Sequence, residues 1–282
     1  MTVSAAARIR SALFMPASNE RAIARARDLD CDAVILDLED AVAPALKDHA
    51  RGAAIAAVAA GFGHRYCAIR VNPIDTEWGE ADLVAVRASS GDAVVLPKVD
   101  GPDDLLAARA LLGDGGMPIW AMIESCAAIV ALPSIVSVAQ ATQTELLIAG
   151  TNDLAKDMRC RAGPDRLPLL SSLSAIVVAA RAVGIIALDG VCNAIDDPAR
   201  FAAECEQGAM LGFDGKTLIH PSQIAAANRA FGPDPDAVAW AHRVVAAFAD
   251  PANDSKGAIR LDDAMVERLH LAEAERILAA AR

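Results

Sequence analysis

Residues 118–153 carry the passage that decides the fold: Pro118-Ile-Trp-Ala-Met-Ile-Glu124, an Ala-rich stretch over 127–139 with helical spacing, then Leu146-Leu-Ile-Ala-Gly-Thr-Asn-Asp153. A short continuous apolar run, a helix and a second apolar run make one β-α-β unit. Continuous rather than alternating runs are what parallel strands need when both faces are buried. Both runs lead into a carboxylate. Working outward, apolar runs recur at 12–15, 33–38, 66–71, 93–96, 119–123, 145–149, 185–188 and 216–219. Stretches with helical spacing lie between them, at 20–27, 47–60, 78–89, 102–112, 127–139, 171–183 and 198–211. This repeated alternation predicts a (β/α)8 TIM barrel. A doubly wound open sheet would show fewer strands and a Gly-rich first turn, which this chain lacks.

The length of 282 residues fits one barrel plus an extension. We place the catalytic barrel at 10–232 and a C-terminal extension at 233–282, which caps the barrel or a neighbouring subunit. In the extension we expect helices over 236–249 and 264–281, joined by a loop at 251–257. Apolar residues make up 54% of the chain, with one Tyr and six Phe, which suits a core of branched aliphatics. The formal charge of −11 argues against nucleic acid and anionic membrane as partners, since both need clustered Lys and Arg. The six cysteines show no C-x-x-C and no zinc spacing, which points to reduced, mostly buried thiols. Residues 1–10 lack a leader-like apolar segment, and no run is long enough to span a bilayer. The expectation is a cytoplasmic protein.

In a parallel barrel all strand C-termini open on one face, so residues far apart in sequence meet there. The strand ends offer Pro16; Asp37, Glu39 and Asp40; Arg70 and Asn72; Lys98; Glu124; Asp153; Asp189; and His220. Glu124 and Asp153, from adjacent strands, suit one hard cation such as Mg²⁺. That ion takes few protein ligands and keeps several exchangeable positions. Such a cation polarises a chelated carbonyl and stabilises a developing enolate or alkoxide. Arg70 would give a substrate carboxylate a planar fork. Asp37, Glu39 and Asp40 are too many acids for one ion. They would orient bound waters or pair with Arg70 and Lys98.

An ordered set of motifs then resembles a known family. The segments are Leu13-Phe-Met-Pro-Ala-Ser-Asn-Glu-Arg21, Ala33-Val-Ile-Leu-Asp-Leu-Glu-Asp-Ala-Val42, Ile69-Arg-Val-Asn72, Leu96-Pro-Lys-Val99, Met122-Ile-Glu-Ser125, Ala149-Gly-Thr-Asn-Asp-Leu-Ala155 and Gly212-Phe-Asp-Gly-Lys-Thr-Leu-Ile-His-Pro-Ser-Gln-Ile224. Together they look like the citrate lyase beta-subunit-like family of CoA-ester lyases, within the HpcH/HpaI aldolase group. The resemblance implies a Mg²⁺-dependent barrel that forms homotrimers or hexamers. It implies cleavage or formation of a C–C bond next to a thioester. A malyl-, citramalyl- or citryl-type CoA ester would give an acyl-CoA and a 2-oxo acid. By motif position, Glu124 and Asp153 resemble the metal ligands, and Arg70 the residue that holds the oxo acid. Phe14, Arg21 and Arg25 resemble the CoA-binding stretch.

Three departures stand out. Ala17 replaces a common Gly, and Asn152 stands where an acid is frequent. Glu267, in Ala264-Met-Val-Glu-Arg268, stands where many lyases carry an Asp that acts as acid/base in a neighbouring subunit's site. Asp262 and Asp263 are fallback acids there. Competing functions are a CoA thioesterase or malate-synthase-like activity, a CoA-independent pyruvate-type aldolase, and a non-catalytic citrate lyase subunit.

Overall fold

A computed structural model describes residues 9–253 and 256–281. Residues 1–8, part of the stretch without a leader-like segment, residues 254–255 of the expected loop, and Arg282 lie outside the described residues. The strands are β1 (Ser11–Pro16), β2 (Ala33–Asp37), β3 (Tyr66–Arg70), β4 (Ala93–Leu96), β5 (Ile119–Ile123), β6 (Thr144–Ala149), β7 (Ile186–Asp189) and β8 (Gly215–Leu218). They close a parallel barrel in sequence order. Closure is made by β8 against β1, through Ser11↔Lys216, Ala12↔Thr217 and Leu13↔Leu218. Helices fill the outer ring: α1 (Glu20–Ala26), α2 (Lys47–Ala60), α3 (Gly79–Arg87), α4 (Pro102–Leu112), α5 (Cys126–Ser137), α6 (Ala139–Thr142), α7 (Thr151–Asp157), α8 (Leu170–Val183), α9 (Pro198–Leu211) and α10 (Ile224–Ala230). The short α7 just after β6 is an element the periodicity does not announce.

Each strand divides its side chains between two cores. Alternate residues, including Ala33, Ile35, Ala68, Ala93, Val95, Trp120, Met122, Leu146, Ile148, Ile186 and Leu188, fill the barrel interior. Their neighbours in sequence, such as Val34, Leu36, Ile69, Val94, Ala121, Ile123 and Leu147, pack outward against the helices. The interior filling is lopsided. Alanines 12, 33, 68 and 93 on β1 to β4 leave room for the indole of Trp120 from β5, which is fully buried. Tyr66 stacks on it at 5.9 Å, and its Nε1 donates to Glu145 Oε1 at 3.1 Å. Small residues opposite one large one are how a tapering barrel packs without voids. Trp120→Ala should therefore cost about 3–5 kcal/mol, because the facing alanines cannot collapse into the hole. Urea unfolding of the variant would check this, and a loss under about 1 kcal/mol would refute the packing argument.

Contacts divide the chain into two compact units, the second beginning at Gly232. The second unit holds α11 (Pro235–Phe248), β9 (Ala258–Leu261), β10 (Ala264–Glu267) and α12 (Arg268–Ala280). Its own core comprises Ala241, Val244, Phe248, Ile259, Val266 and Ala274. The expected helix over 264–281 is corrected here. Its first four residues form β10, antiparallel to β9 with Ala264↔Leu261 and Glu267↔Ala258 in register. The Asp262-Asp263 turn is the reason. Asp262 takes the left-handed conformation at φ 54°, which Asp tolerates better than most residues. The turn then sends Ile259 and Val266 into the same small core. Among the described residues no helix is long and apolar enough to cross a membrane.

Candidate active site

The strand alternation decides which polar residues reach the barrel mouth. Ala33 and Ile35 point inward, so Asp37 does too; Ala68 brings Arg70 inward by the same count, and Trp120 and Met122 bring Glu124. On β7 the inward residues are Ile186 and Leu188, so Asp189 points outward. It is fully buried there, bonded to Arg166 Nη1 at 2.8 Å and to Lys216 Nζ at 2.8 Å. The two cations outweigh burial and hold its carboxyl below the usual range. Asp189, a strand-end candidate by sequence, thus belongs to a structural ion cluster. His220 caps the turn Pro221–Gln223, its Nδ1 2.7 Å from Ser222 Oγ.

Arg70 sits at the centre of the mouth. Its Nε and Nη2 donate to the two oxygens of Asp37 at 2.7 and 2.6 Å. The fork that the sequence reading reserves for a substrate carboxylate is therefore occupied by Asp37. Asp37 also accepts from the backbone N–H of Glu39 at 2.9 Å and of Ala41 at 3.3 Å. Phe14 lies under the guanidinium, 4.8 Å from ring centroid to Cζ, an attraction between cation and ring face. Burial alone would lower the pKa of Arg70. The Asp37 fork and the charges of Asp37, Glu39 and Glu124 outweigh it and hold the cation fixed. Nη1 lies 3.8 Å from Met122 Sδ. It lies 3.0 Å from Glu39 Oε2, which is buried and accepts no hydrogen bond.

Of the acids in the Asp37-Leu-Glu-Asp40 motif, Glu39 bridges to Lys98 Nζ at 2.7 Å. Its carboxyl is pushed up by burial, against the pull of Arg70 and Lys98. Asp37 and Glu39 thus pair with Arg70 and Lys98. Lys98 has a second duty. Its backbone is left-handed, at φ 52°, and its N–H donates to Glu124 Oε1 at 2.7 Å. Glu124 is 5% exposed and its carboxyl is pushed up to about 7. Burial is the main cause; Glu39 and Asp153 add to it, and the Lys98 N–H and Arg70 oppose it. Asp153 stands in the first turn of α7. Between the two acids lies Gly150. A β-carbon there would sit 2.5 Å from Glu124 Oε2 and still closer to its Cβ. The missing side chain is the space in which Glu124 lies.

Two cavities meet at this mouth. One of about 490 Å³ is lined by Phe14, Asp37, Arg70, Met122, Val191 and Ile219, among others. The second, about 480 Å³, is lined by Lys98, Asp100, Ser125, Lys156, Asp157 and Arg159. Asp40, Glu124 and Asp153 border both. A cavity of about 600 Å³ beside Asp32, Tyr66 and Asp92 opens at the strands' N-terminal end; barrel chemistry belongs to the other face. Arg21 and Arg25 are exposed on α1. Glu267 lies in the second unit, where it opens α12 and its N–H donates to His270 Nδ1 at 2.9 Å. Asp262 and Asp263 pair with Arg243 and Arg260. Residue type alone assigns no role to Gly150 or to the backbone of Lys98. The signals for both were the quoted Leu96-Pro-Lys and Ala149-Gly-Thr segments.

Among the described residues no group of three or more His, Cys, Asp or Glu is placed to hold a metal. That does not count against a hard cation, which takes one or two carboxylates and fills its other positions with water and substrate oxygens. The fit rests on Glu124. A buried carboxyl raised by burial and neighbouring acids is one that a divalent cation would satisfy.

Known proteins share this arrangement's sequence and fold. The family model for HpcH/HpaI aldolase/citrate lyase matches residues 10–221. A (3S)-malyl-CoA thioesterase from Cereibacter sphaeroides is 44% identical, covering 96% of this chain and 94% of its own length. The citrate lyase subunit beta of Escherichia coli is 33% identical, covering 92% of this chain and 88% of its own. The crystal structure of CitE from Mycobacterium tuberculosis in complex with magnesium, acetoacetate and coenzyme A superposes with a TM-score of 0.79 at 30% identity, over 96% of this chain and 97% of that one. With its barrel closed and the family model spanning most of it, the chain belongs to the HpcH/HpaI aldolase/citrate lyase family.

Proposed function

We propose that the protein is a Mg²⁺-dependent enzyme that hydrolyses a malyl-CoA-type thioester, a 3-hydroxyacyl-CoA carrying a second carboxylate. The observation that carries this reading is the meeting of the held cation Arg70 with the carboxylates Glu124 and Asp153 at one cavity. A hydroxy acid thioester offers an anion to the first and chelating oxygens to the second. The (3S)-malyl-CoA thioesterase at 44% identity over nearly the whole chain supports hydrolysis. The M. tuberculosis protein with magnesium, acetoacetate and coenzyme A supports the cation and the CoA arm.

Glu124 and Asp153 would hold Mg²⁺. When bound, it polarises the chelated substrate oxygen and draws off the charge that develops there. Arg70 would meet the substrate carboxylate with Nη1, the nitrogen it also turns to Glu39, while Asp37 and the Phe14 ring keep the guanidinium from turning. Lys98 fixes Glu124 through its backbone and Glu39 through its side chain. Phe14, Arg21 and Arg25 lie on β1 and α1, the side we assign to the CoA arm.

Carbon–carbon cleavage is the second reading, favoured by the likeness to a citrate lyase subunit. The same groups would hold the 2-oxo acid product, and Glu267 of a neighbouring subunit would return a proton to the thioester enolate. One assay separates the two. With malyl-CoA and Mg²⁺, hydrolysis releases free thiol and malate, whereas cleavage releases glyoxylate and acetyl-CoA without thiol. Neither product from the purified protein would sink both readings.

Glu124 also fixes a pH dependence. Its carboxyl, raised to about 7, must be ionised to hold a cation. Protonated below that pH, it excludes Mg²⁺; ionised above, it admits it. The half-saturating Mg²⁺ concentration should rise roughly tenfold per pH unit below about 7 and level off above. Calorimetric titration across that range measures it, and a flat profile would refute the link.

A further inference from the structure

The carboxylates at the mouth face two different environments. The first cavity contains the apolar side chains Phe14, Met122, Val191 and Ile219 beside Arg70. The second has only polar and charged lining: Lys98, Asp100, Ser125, Lys156, Asp157 and Arg159 around the shared acids. A polar cavity of about 480 Å³ has the room and the partners to hold water. Glu124 and Asp153 thus stand between a partly apolar cavity and a wholly polar one.

Most acids bordering the first cavity are engaged. Asp37 holds Arg70 and two backbone N–H groups. Glu124 holds the Lys98 N–H and, with Asp153, is assigned to the cation. Asp40 remains. It is exposed and it borders both cavities. The backbone of its motif is fixed on either side by Asp37, which accepts from Glu39 N and Ala41 N. A carboxylate at the boundary between the two cavities is placed to activate water.

We propose that Asp40 is the general base of thioester hydrolysis, acting on water delivered through the second cavity. This rests on the hydrolase reading. The water oxygen bonds to the thioester carbonyl carbon as its proton passes to Asp40. The tetrahedral adduct then collapses, the C–S bond breaks, and the proton on Asp40 goes to the departing thiolate. One water is consumed; the free hydroxy acid and the CoA thiol are formed, with no net transfer of electrons.

The test uses the full chain with Mg²⁺ and malyl-CoA, following thiol and glyoxylate separately in wild type, Asp40→Asn and Asp40→Glu. Asp40→Asn should lower kcat for thiol release by about 10²–10⁴-fold, with KM within about threefold of wild type. Its Mg²⁺ titration should match wild type, and Asp40→Glu should recover at least about tenfold over the Asn variant. Thiol release by Asp40→Asn within about twofold of wild type would overturn the base and leave the hydrolase reading standing. So would a loss carried by KM or by Mg²⁺ affinity, which marks a positioning role. Wild-type glyoxylate formation with no thiol would overturn the hydrolase reading, and the base with it.

Discussion

Glu124→Gln should abolish cation-dependent turnover while leaving the barrel folded. The amide has the same shape and keeps an oxygen for the Lys98 N–H that Glu124 Oε1 accepts at 2.7 Å. What it removes is one of the three carboxylates bordering both cavities. Loss of several kcal/mol of charge stabilisation corresponds to roughly a 10³-fold or larger fall in kcat/KM. Stability should move the other way. Burial raises the Glu124 carboxyl to about 7, so keeping it charged above that pH costs the wild type stability. The neutral amide carries no such cost, and the variant should melt at or above the wild-type temperature at about pH 8. Activity within about tenfold of wild type, or a lowered melting temperature, would contradict the role given to this side chain.

Arg70→Ala should be the most damaging single change to stability in the mouth. Arg70 neutralises two nearly buried acids, with Asp37 at 2.6 Å and Glu39 at 3.0 Å. Removing one partner from a buried ionic cluster leaves uncompensated charge, and typically costs about 3–5 kcal/mol. Lys98, half exposed, still serves Glu39, so Asp37 bears most of the loss. The sign with pH follows. At neutral pH the orphaned carboxylates must stay charged or take up protons on folding; as pH falls they are protonated in both states and the penalty shrinks. Urea unfolding at about pH 7 and about pH 5 should show the gap between variant and wild type narrowing with acid. A gap that widened would mean Arg70 contributes through packing rather than charge. The Phe14 ring, left without its cation, adds a smaller loss.

The fold was legible because a barrel states itself twice in sequence. Buried parallel strands are continuous apolar runs, and their alternation with helices recurs around the ring. The inward placement of Asp37, Arg70 and Glu124 and the outward placement of Asp189 follow from period two along each strand. That count could have removed Asp189 from the strand-end candidates beforehand. The tail was less legible. Ala264-Met-Val-Glu267 has no β-specific pattern in four residues. A left-handed Asp262 and two core contacts decide it as a strand, and those are tertiary facts. The occupancy of the Arg70 fork was also hidden, since three acids in one motif do not reveal which of them a single arginine will choose. Nor does sequence disclose that the carboxylate pair borders a second, wholly polar cavity. That depends on α7, a short helix whose Thr151–Asp157 run carries no clear amphipathic period.

The bare backbone at Gly150 binds two positions into one heritable unit. Position 150 cannot gain a β-carbon while position 124 keeps one, because the two β-carbons would overlap. Shortening the acid does not lift the block, since aspartate keeps the β-carbon that stands in the way. Gly150→Ala and Glu124→Asp made separately should each lower activity. Made together they should lose at least the sum, because the shorter acid opens no room for the new β-carbon. A double variant more active than Gly150→Ala alone would show that the acid's far end, not its β-carbon, sets the clash. A lineage descended from this protein would then keep its glycine for as long as position 124 carries any side chain.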